Sequence, residues 1–486
     1  MKNDFASINR IPPEVLSLIP KYWNKEDMDK NLITLTHVCR GWRELFIAYS
    51  SLWAHLDCTN TDKTRVYLKR SKPFPLEVSL HGSDDSLHMC DGPTYLEDAF
   101  LLVIPHIGRL KSLSIVGAVN LRNLTQHISR PAPLEELTID LICDPTPTLD
   151  DALFGGNLSL LRTLHLDGVI TRLPWKNLSK LTVFKLGYTP KDEISVTRLL
   201  DFFENAPHLR EITLNNSIPT SSNASPGRVV PLPHLKTLAI DADLAHSILL
   251  NHLSIPARAS LALRFRFNGD KSPLPNFLPK TARNLKNITS INLSFCKMEK
   301  FVRLEGPSGE LYMFGFHKDW DQAASLVVDR RILRSMDYFV LSRTQSLAVT
   351  KYEPPTFSEI DKSPPYHILC RMANLTTLTL TQCNNLPFLL ALNPCKNPSK
   401  LVLCPKLTDL SLYVETRNAF NIPELMSMAK ERASRGAKLG WITIIGLGEL
   451  VPGKEVFKLR EHVSFVDYLV EEEPPEWDFI PGNGAN

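Results

Sequence analysis

The chain has 486 residues and lacks the features of a secreted, membrane-spanning or zinc-binding protein. No run of about 18 apolar residues, the length that spans a bilayer, occurs in it, and no signal peptide begins it. Its nine cysteines form no CxxC pair, and an odd number argues against a closed disulfide framework. We therefore expect a soluble intracellular protein, cytoplasmic or nuclear or both, without a metal site.

An excess of charge of one sign is also missing. The 55 lysine and arginine residues nearly balance the 52 aspartate and glutamate residues, giving a formal charge of +3, and the basic residues are spread along the chain. Proteins that bind nucleic acid concentrate positive charge on one surface. We expect neither nucleic acid nor a membrane as a partner.

The motifs of common enzyme classes are absent. The chain contains no GxxxxGK[ST] phosphate loop, no HExxH zinc motif and no GxSxG nucleophile turn. The segment "GLGELVPG" at 446 has only two of the three glycines of a dinucleotide fingerprint, and we interpret it as a turn. The segment "DADLAH" at 241 has no second histidine at metal spacing and reads as a surface loop. We predict a protein that is not an enzyme and has no cofactor.

Length and composition favour a chain with more than one structural unit. With 43% apolar and 22% charged residues, 486 residues can bury a large core but exceed what one compact domain usually contains. We expect two domains, or one domain followed by a repeat array.

Proline and leucine spacing predicts a short first helix near the start of the chain. In "INRIPPEVLSLIP", the pair Pro12-Pro13 can open a helix because the first helical positions have no intrahelical partner for their N–H groups. Val15, Leu16 and Ile19 form a short apolar face, and Pro20 limits the helix to about two turns.

A second apolar stripe follows in "LTHVCRGWRELF", residues 35 to 46. Apolar residues spaced three and four apart predict one amphipathic helix through this segment: Leu32, Leu35, Cys39, Trp42 and Phe46. Three short helices bury too little surface to form a domain alone, so something must cover the stripe. Either the rest of this chain covers it, or a partner protein docks on it.

These residues resemble the F-box motif in the form common in long fungal F-box proteins. The resemblance is carried by Ile11-Pro12-x-Glu14-Val15-Leu16, Ile19, Val38-Cys39-x-x-Trp42-Arg43 and Leu52-Trp53. It implies an F-box domain over residues 1–60 that docks on a Skp-type adaptor, and through it on a cullin-RING ubiquitin ligase. The residues it places against the adaptor are Ile11, Pro12, Pro13, Val15, Leu16, Ile19, Val38, Cys39 and Trp42. We assign Leu35, Leu45 and Phe46 mainly to internal packing.

In such a complex the remainder of the chain selects the target protein, and other subunits perform the transfer of ubiquitin. The resemblance therefore implies a non-catalytic substrate-recognition subunit. An alternative is an interaction scaffold that keeps the motif but works without the ligase.

A short pattern then repeats along the chain. Thirteen copies, from "LKSLSI" at 110 and "LEELTI" at 134 to "LTDLSL" at 407 and "LGWITI" at 439, follow one another at about 27 residues. The period and the L-x-x-L-x-L core resemble leucine-rich repeats, which implies an irregular α/β solenoid over residues 61–470. A two-layer α/β domain with parallel strands has the same strand-then-helix order and stays an alternative. With the helical F-box the fold class is α+β overall, and residues 471–486 read as an acidic, Pro/Gly-rich tail.

The outward positions of the predicted strands hold mostly small or polar residues, such as Thr138, Thr213 and Thr379. Either sheet propensity explains them, or they form a face that accepts a partner. In "LALRFRF" at 261, Arg264 and Arg266 share one strand face, and Lys236 lies two predicted strands earlier. These three residues could form a basic site for an acidic or phosphorylated target; the alternative is a solvated strand face.

Overall fold

A computed structural model describes most of the chain. The described residues are 11–16, 18–23, 25–82, 94–119, 131–142, 146–149, 153–156, 158–171, 178–188, 194–215, 227–266, 278–296, 299–316, 332–352, 363–414, 421–447 and 457–471. Within them the protein is mixed α/β with mostly parallel strands, which agrees with the predicted fold class at this level.

The first three α-helices precede the first strand, and the other α-helices lie between strands along the chain. The α-helices are α1 Pro13–Leu16, α2 Lys25–Val38, α3 Arg40–Ala48, α4 Thr61–Ser71, α5 Thr94–Leu101, α6 Val196–Asn205, α7 Leu278–Thr281, α8 Pro364–Leu369, α9 Leu386–Leu392 and α10 Ile422–Ser434. The 3₁₀ helices are Ile19–Tyr22, Ser50–Trp53, Ile104–Arg109, Leu153–Gly156, Leu244–His252 and Met336–Tyr338. None of these helices is both long and apolar enough to cross a bilayer.

The strands number β1 to β21 within the described residues. They are β1 His55–Asp57, β2 Leu76–His81, β3 Leu110–Gly117, β4 Glu136–Leu141, β5 Thr148–Leu149, β6 Thr163–Asp167, β7 Ile170–Thr171, β8 Val183–Leu186, β9 Glu211–Asn215, β10 Val230–Pro231 and β11 Thr237–Asp243. They continue with β12 Leu253–Ser254, β13 Ser260–Arg266, β14 Ser290–Phe295, β15 Glu299–Gly306, β16 Gly309–Phe316, β17 Ser346–Thr350, β18 Thr377–Thr381, β19 Asp409–Val414, β20 Trp441–Leu447 and β21 Phe465–Glu471.

The chain forms two compact units. The first comprises residues 1–235 and 252–255, and the second comprises residues 236–251 and 256–486. In the first unit, β1, β2, β3, β4, β6, β8 and β9 pair in chain order, each parallel to the next. Because β1 lies before residue 60 and pairs with β2 after it, the sheet runs across the predicted end of the F-box domain.

In the second unit the spatial order departs from the chain order. The strands follow one another as β11, β13, β16, β15, β14, β17, β18, β19, β20 and β21. All pairs are parallel except those of β15, which is antiparallel to both neighbours. A two-residue turn, Pro307-Ser308, joins β15 to β16, and Gly309 after it has φ +132° and lies against the backbone of Leu261, where a Cβ would clash.

The thirteen repeat copies all contain a strand, as the sequence predicts. Their leucines and isoleucines alternate with outward residues and are buried, for example Leu164 and Leu166 of β6 at 0% exposure. A recurring local structure precedes many strands: the N–H of the first leucine of the copy donates to the carbonyl three residues earlier, which closes a turn. This turn occurs at Leu161, Leu181, Leu209, Leu235, Leu375 and Leu407.

The single helix predicted through Cys39 is wrong. Helix α2 ends at Val38 and α3 begins at Arg40, with Cys39 in an extended conformation at φ −157° and ψ 172°. The Sγ of Cys39 accepts a hydrogen bond from the N–H of Trp42 at 3.5 Å, so the cysteine caps α3. β-branched Val38 and Gly41, both weak helix formers, flank the break. The predicted tail lies almost entirely outside the described residues.

Candidate functional site

Exposed apolar side chains are concentrated on the first helices of the chain. Val15 is 50% exposed and Val38 is 49% exposed, although both are apolar. Leu18, Tyr22 and Ile33 are exposed as well. We call these five residues the N-terminal apolar set. Val15 and Val38 belong to the F-box-like sequence motif. Leu18, Tyr22 and Ile33 do not, and the sequence distinguishes them only as apolar residues outside the predicted helical stripe.

The residues predicted to contact an adaptor divide into three groups by exposure. Pro12, Pro13, Val15 and Val38 are exposed, while Ile11, Ile19 and Cys39 are half-buried. Leu16 is 4% exposed and Trp42 is 8% exposed, so both are covered by this chain. Of the residues assigned to internal packing, Phe46 is fully buried, and Leu35 and Leu45 are half-buried.

Hydrogen bonds fix the corner between α2 and α3. The Nε–H of Arg43 donates to the carbonyl of Thr36 at 2.9 Å, which ties α3 back to α2 across the break. The ring of Trp42 packs edge-on against Phe46, with 5.7 Å between centroids. Trp42 and Phe46 therefore fill the inside of the corner between α2 and α3, and Val38, in the last turn of α2, faces solvent.

Trp53 joins these helices to helix α4 of the first unit. Its Nε1–H donates to the carbonyl of Phe46 at 2.8 Å, and its ring meets Tyr67 of α4 edge-on at 4.9 Å. The guanidinium of Arg70 lies 4.3 Å from the centroid of the Trp53 ring, a cation–π distance. With 1% exposure, Trp53 supports the helices and presents no surface to a partner.

The predicted basic site is only partly assembled. Arg264 and Arg266 share one face of β13, but the parallel register sets Arg264 opposite Asp241 and Arg266 opposite Asp243 of β11. Their charged groups lie 3.7 Å and 3.4 Å apart, respectively. Lys236 precedes β11 by one residue, about 16 Å along the strand from Asp241, so the register keeps it away from both arginines.

Aromatic rings from β16 complete the surroundings of Arg264. Its guanidinium lies 5.4 Å from the ring centroid of Tyr312, which stacks on Phe314 at 4.8 Å. Burial raises the pKa of Asp241, and the nearby arginines partly oppose that rise. Carboxylates and arginines therefore balance each other at this face, and it does not present the excess positive charge that an acidic target would require.

In the first unit, His165 and Asp167 lie on one strand face of β6. Burial lowers the pKa of His165, and burial raises the pKa of Asp167 although Asp167 accepts the N–H of Tyr188 at 2.8 Å. Asp140 of β4 is the register partner of Asp167. Despite these groups, the described residues contain no cluster of three or more histidine, cysteine, aspartate or glutamate side chains arranged to hold a metal.

A second exposed apolar face, which the sequence reasoning missed, lies on the last two strands of the second unit. Trp441 of β20 and Phe465 of β21 are register partners and are 41% and 59% exposed. Their rings stack at 5.0 Å with an interplanar angle of 27°. Leu469, two positions along the same face from Asp467, is 51% exposed. The sequence contained the signal, since Trp441 and Phe465 are each the first residue of a strand with alternating apolar residues.

Comparisons with known proteins do not extend the resemblance found in the residues. No protein-family model matches this chain, and no curated protein matches it either.

Proposed function

We propose that this protein is the substrate-recognition subunit of a Skp-cullin-F-box ubiquitin ligase. The observation that carries the proposal is the exposure of Val15 and Val38, which stand at apolar positions of the F-box-like motif. An apolar side chain of that size stabilises a complex by about 1.5–3 kcal/mol when a partner covers it fully. The N-terminal apolar set therefore favours a surface that another protein covers.

The adaptor contact that we propose uses the exposed members of the predicted residues. Pro12, Pro13, Val15 and Val38 would touch the adaptor directly, with Ile19 and Cys39 at the margin. Leu16 and Trp42 would act indirectly, because their packing inside this chain holds the exposed side chains in place.

The remainder of the chain would bind the target as a leucine-rich-repeat-like solenoid. Support comes from the parallel strands and from the recurring turn at the first leucine of the copies. The hairpin β15–β16 would then be an insertion in the repeat order. In this proposal the protein performs no chemistry and holds a target near the transferring subunits.

Copurification tests the proposal. The tagged full chain should recover both a Skp-type adaptor and a cullin from cells, and Val38→Asp should remove both. Binding of the adaptor would bury the new carboxylate of Val38→Asp without a partner for its charge, so the complex should be lost. Val38 is exposed in the free chain, so the variant should still fold. Val66→Asp is the matched control, because Val66 is a 41% exposed valine on helix α4 of the same unit.

The outcomes separate the two roles that the resemblance allows. Recovery of the adaptor without a cullin would favour a scaffold that uses the F-box-like segment outside the ligase. Recovery of neither, or equal losses with Val38→Asp and Val66→Asp, would contradict the proposed adaptor site.

A further inference from the structure

The exposed face at the end of the second unit carries a specific charge pattern. Among the outward positions of β17 to β21 whose side chains the structure describes, the exposed and half-buried ones include no lysine or arginine; they are Ser346, Ala348, Thr350, Thr377, Thr379, Thr381, Asp409, Ser411, Tyr413, Trp441, Thr443, Phe465, Asp467 and Leu469. Asp409 and Asp467 are the only carboxylates among these described side chains. Asp409 lies on β19 beside Trp441, and Asp467 lies on β21 two residues after Phe465.

Asp467 is held next to the aromatic pair. Its Oδ2 accepts the indole N–H of Trp441 at 2.9 Å, and the residue is exposed. Asp409 is half-buried and is the register partner of Trp441 on the opposite side from Phe465. The stacked rings therefore have a carboxylate on each side: Asp409 on the neighbouring strand β19, and Asp467 on β21 itself, two residues after Phe465.

Aromatic faces carry partial negative charge, and a cation over such a face gains about 0.5–2 kcal/mol, depending on its desolvation. Carboxylates beside the rings add to the attraction for the same cation. Arginine suits this arrangement better than lysine, because its planar guanidinium stacks on rings and still donates hydrogen bonds to carboxylates. Leu469 supplies an apolar contact on the same strand face.

We propose that this face, Asp409, Trp441, Phe465, Asp467 and Leu469, binds a segment of a target protein that presents arginine beside apolar side chains. The inference names a class of target and in that respect rests on the proposed recognition role. Binding at the face does not require the adaptor, so the two proposals can fail separately.

The probe is a fluorescein-labelled Gly/Ser peptide that contains arginine and leucine, compared with the same peptide in which glutamate replaces arginine. Fluorescence anisotropy with the full chain alone should show preferential binding of the arginine peptide, weakened by salt. Phe465→Ala should weaken that binding about tenfold, since it removes half of the ring pair. Leu401→Ala, which truncates a 65% exposed leucine of the same unit, should leave it unchanged.

Asp467→Lys gives a result that misfolding cannot imitate. This charge reversal should turn the preference towards the glutamate peptide, while Asp98→Lys in the first unit should leave the preference for the arginine peptide unchanged. Equal binding of the two peptides by the wild-type chain would overturn the proposal. So would self-association of the chain that is lost in Phe465→Ala, because the face would then belong to a second copy. Loss of adaptor binding with an intact arginine preference would contradict only the ligase role.

Discussion

Replacement of Arg432 by methionine should destabilise the second unit strongly. Arg432 of helix α10 is fully buried, and its two terminal nitrogens donate to the carbonyls of Leu403 and Cys404 at 2.7 Å and 2.9 Å. Cys404 has a positive φ of 46°, so these bonds hold a backbone conformation that non-glycine residues rarely adopt. Methionine fills much of the volume but leaves both carbonyls buried without their donor.

The magnitude follows from the two hydrogen bonds. A bond from a charged donor contributes about 1.5–3 kcal/mol, and removal of the buried charge recovers part of its desolvation cost. We expect the free energy of unfolding to fall by about 3 kcal/mol in Arg432→Met. The free energy of unfolding of Arg432→Lys should lie between those of the wild type and Arg432→Met, because one ammonium group cannot donate to both carbonyls as the guanidinium does.

Urea unfolding, followed by circular dichroism, measures this loss. Lys430→Met is the matched control, since Lys430 is an exposed cation on the same helix. If the free energies of unfolding of Arg432→Met and Lys430→Met differ by less than about 0.5 kcal/mol, the guanidinium does not stabilise the backbone at residues 403–404 as described.

Three further predictions concern the first helices, the thiols and one histidine. Trp53→Phe removes the N–H donor to the carbonyl of Phe46 and should lower the free energy of unfolding by about 1 kcal/mol in the same assay; an unchanged value would refute that role. Burial raises the pKa of Cys58 to about 12, so in the native protein Cys58 should resist iodoacetamide while exposed Cys395 reacts, as peptide mass spectrometry can show; equal labelling would contradict this burial. Because burial lowers the pKa of His165, the unfolded chain binds this proton more tightly and stability should fall as pH drops from 7 through the usual histidine range. His165→Gln should flatten that fall in a thermal-melting series, and an identical pH profile would remove His165 as its cause.

The strands were predictable from the sequence because their signal is local. In "LRTLHL", Leu161 closes a turn, and Leu164 and Leu166 point to one face, so a short window of residues contains the whole pattern. Strands β2 and β21 lie outside the thirteen copies, so the repeat pattern missed them.

The inverted strand order in the second unit could not be read from the repeat pattern. The copies at 288 and 311 do form strands, but β15 between them returns antiparallel and exchanges their neighbours. The local cue was "GPSG" at 306–309, a tight turn between two alternating runs, which favours a hairpin over a long return segment.

Contacts between side chains explain the remaining differences between the structure and the predictions made from the sequence. Periodicity describes which residues share a face, and it placed Trp42 on the same stripe as Cys39. It does not show that Cys39 caps a new helix or that Trp42 packs on Phe46 inside the chain. The partners of Arg264 and Arg266 depended on the register of β11 against β13, which brings Asp241 and Asp243 opposite them.

Direct binding of a purified Skp-type adaptor to the purified full chain tests the central proposal most closely. Isothermal titration should give a one-to-one complex, weakened about 100-fold by the double change Val15→Asp and Val38→Asp and unchanged by Val66→Asp. Absence of binding by the wild-type chain, or equal affinity of the double variant, would contradict an adaptor site on the N-terminal helices.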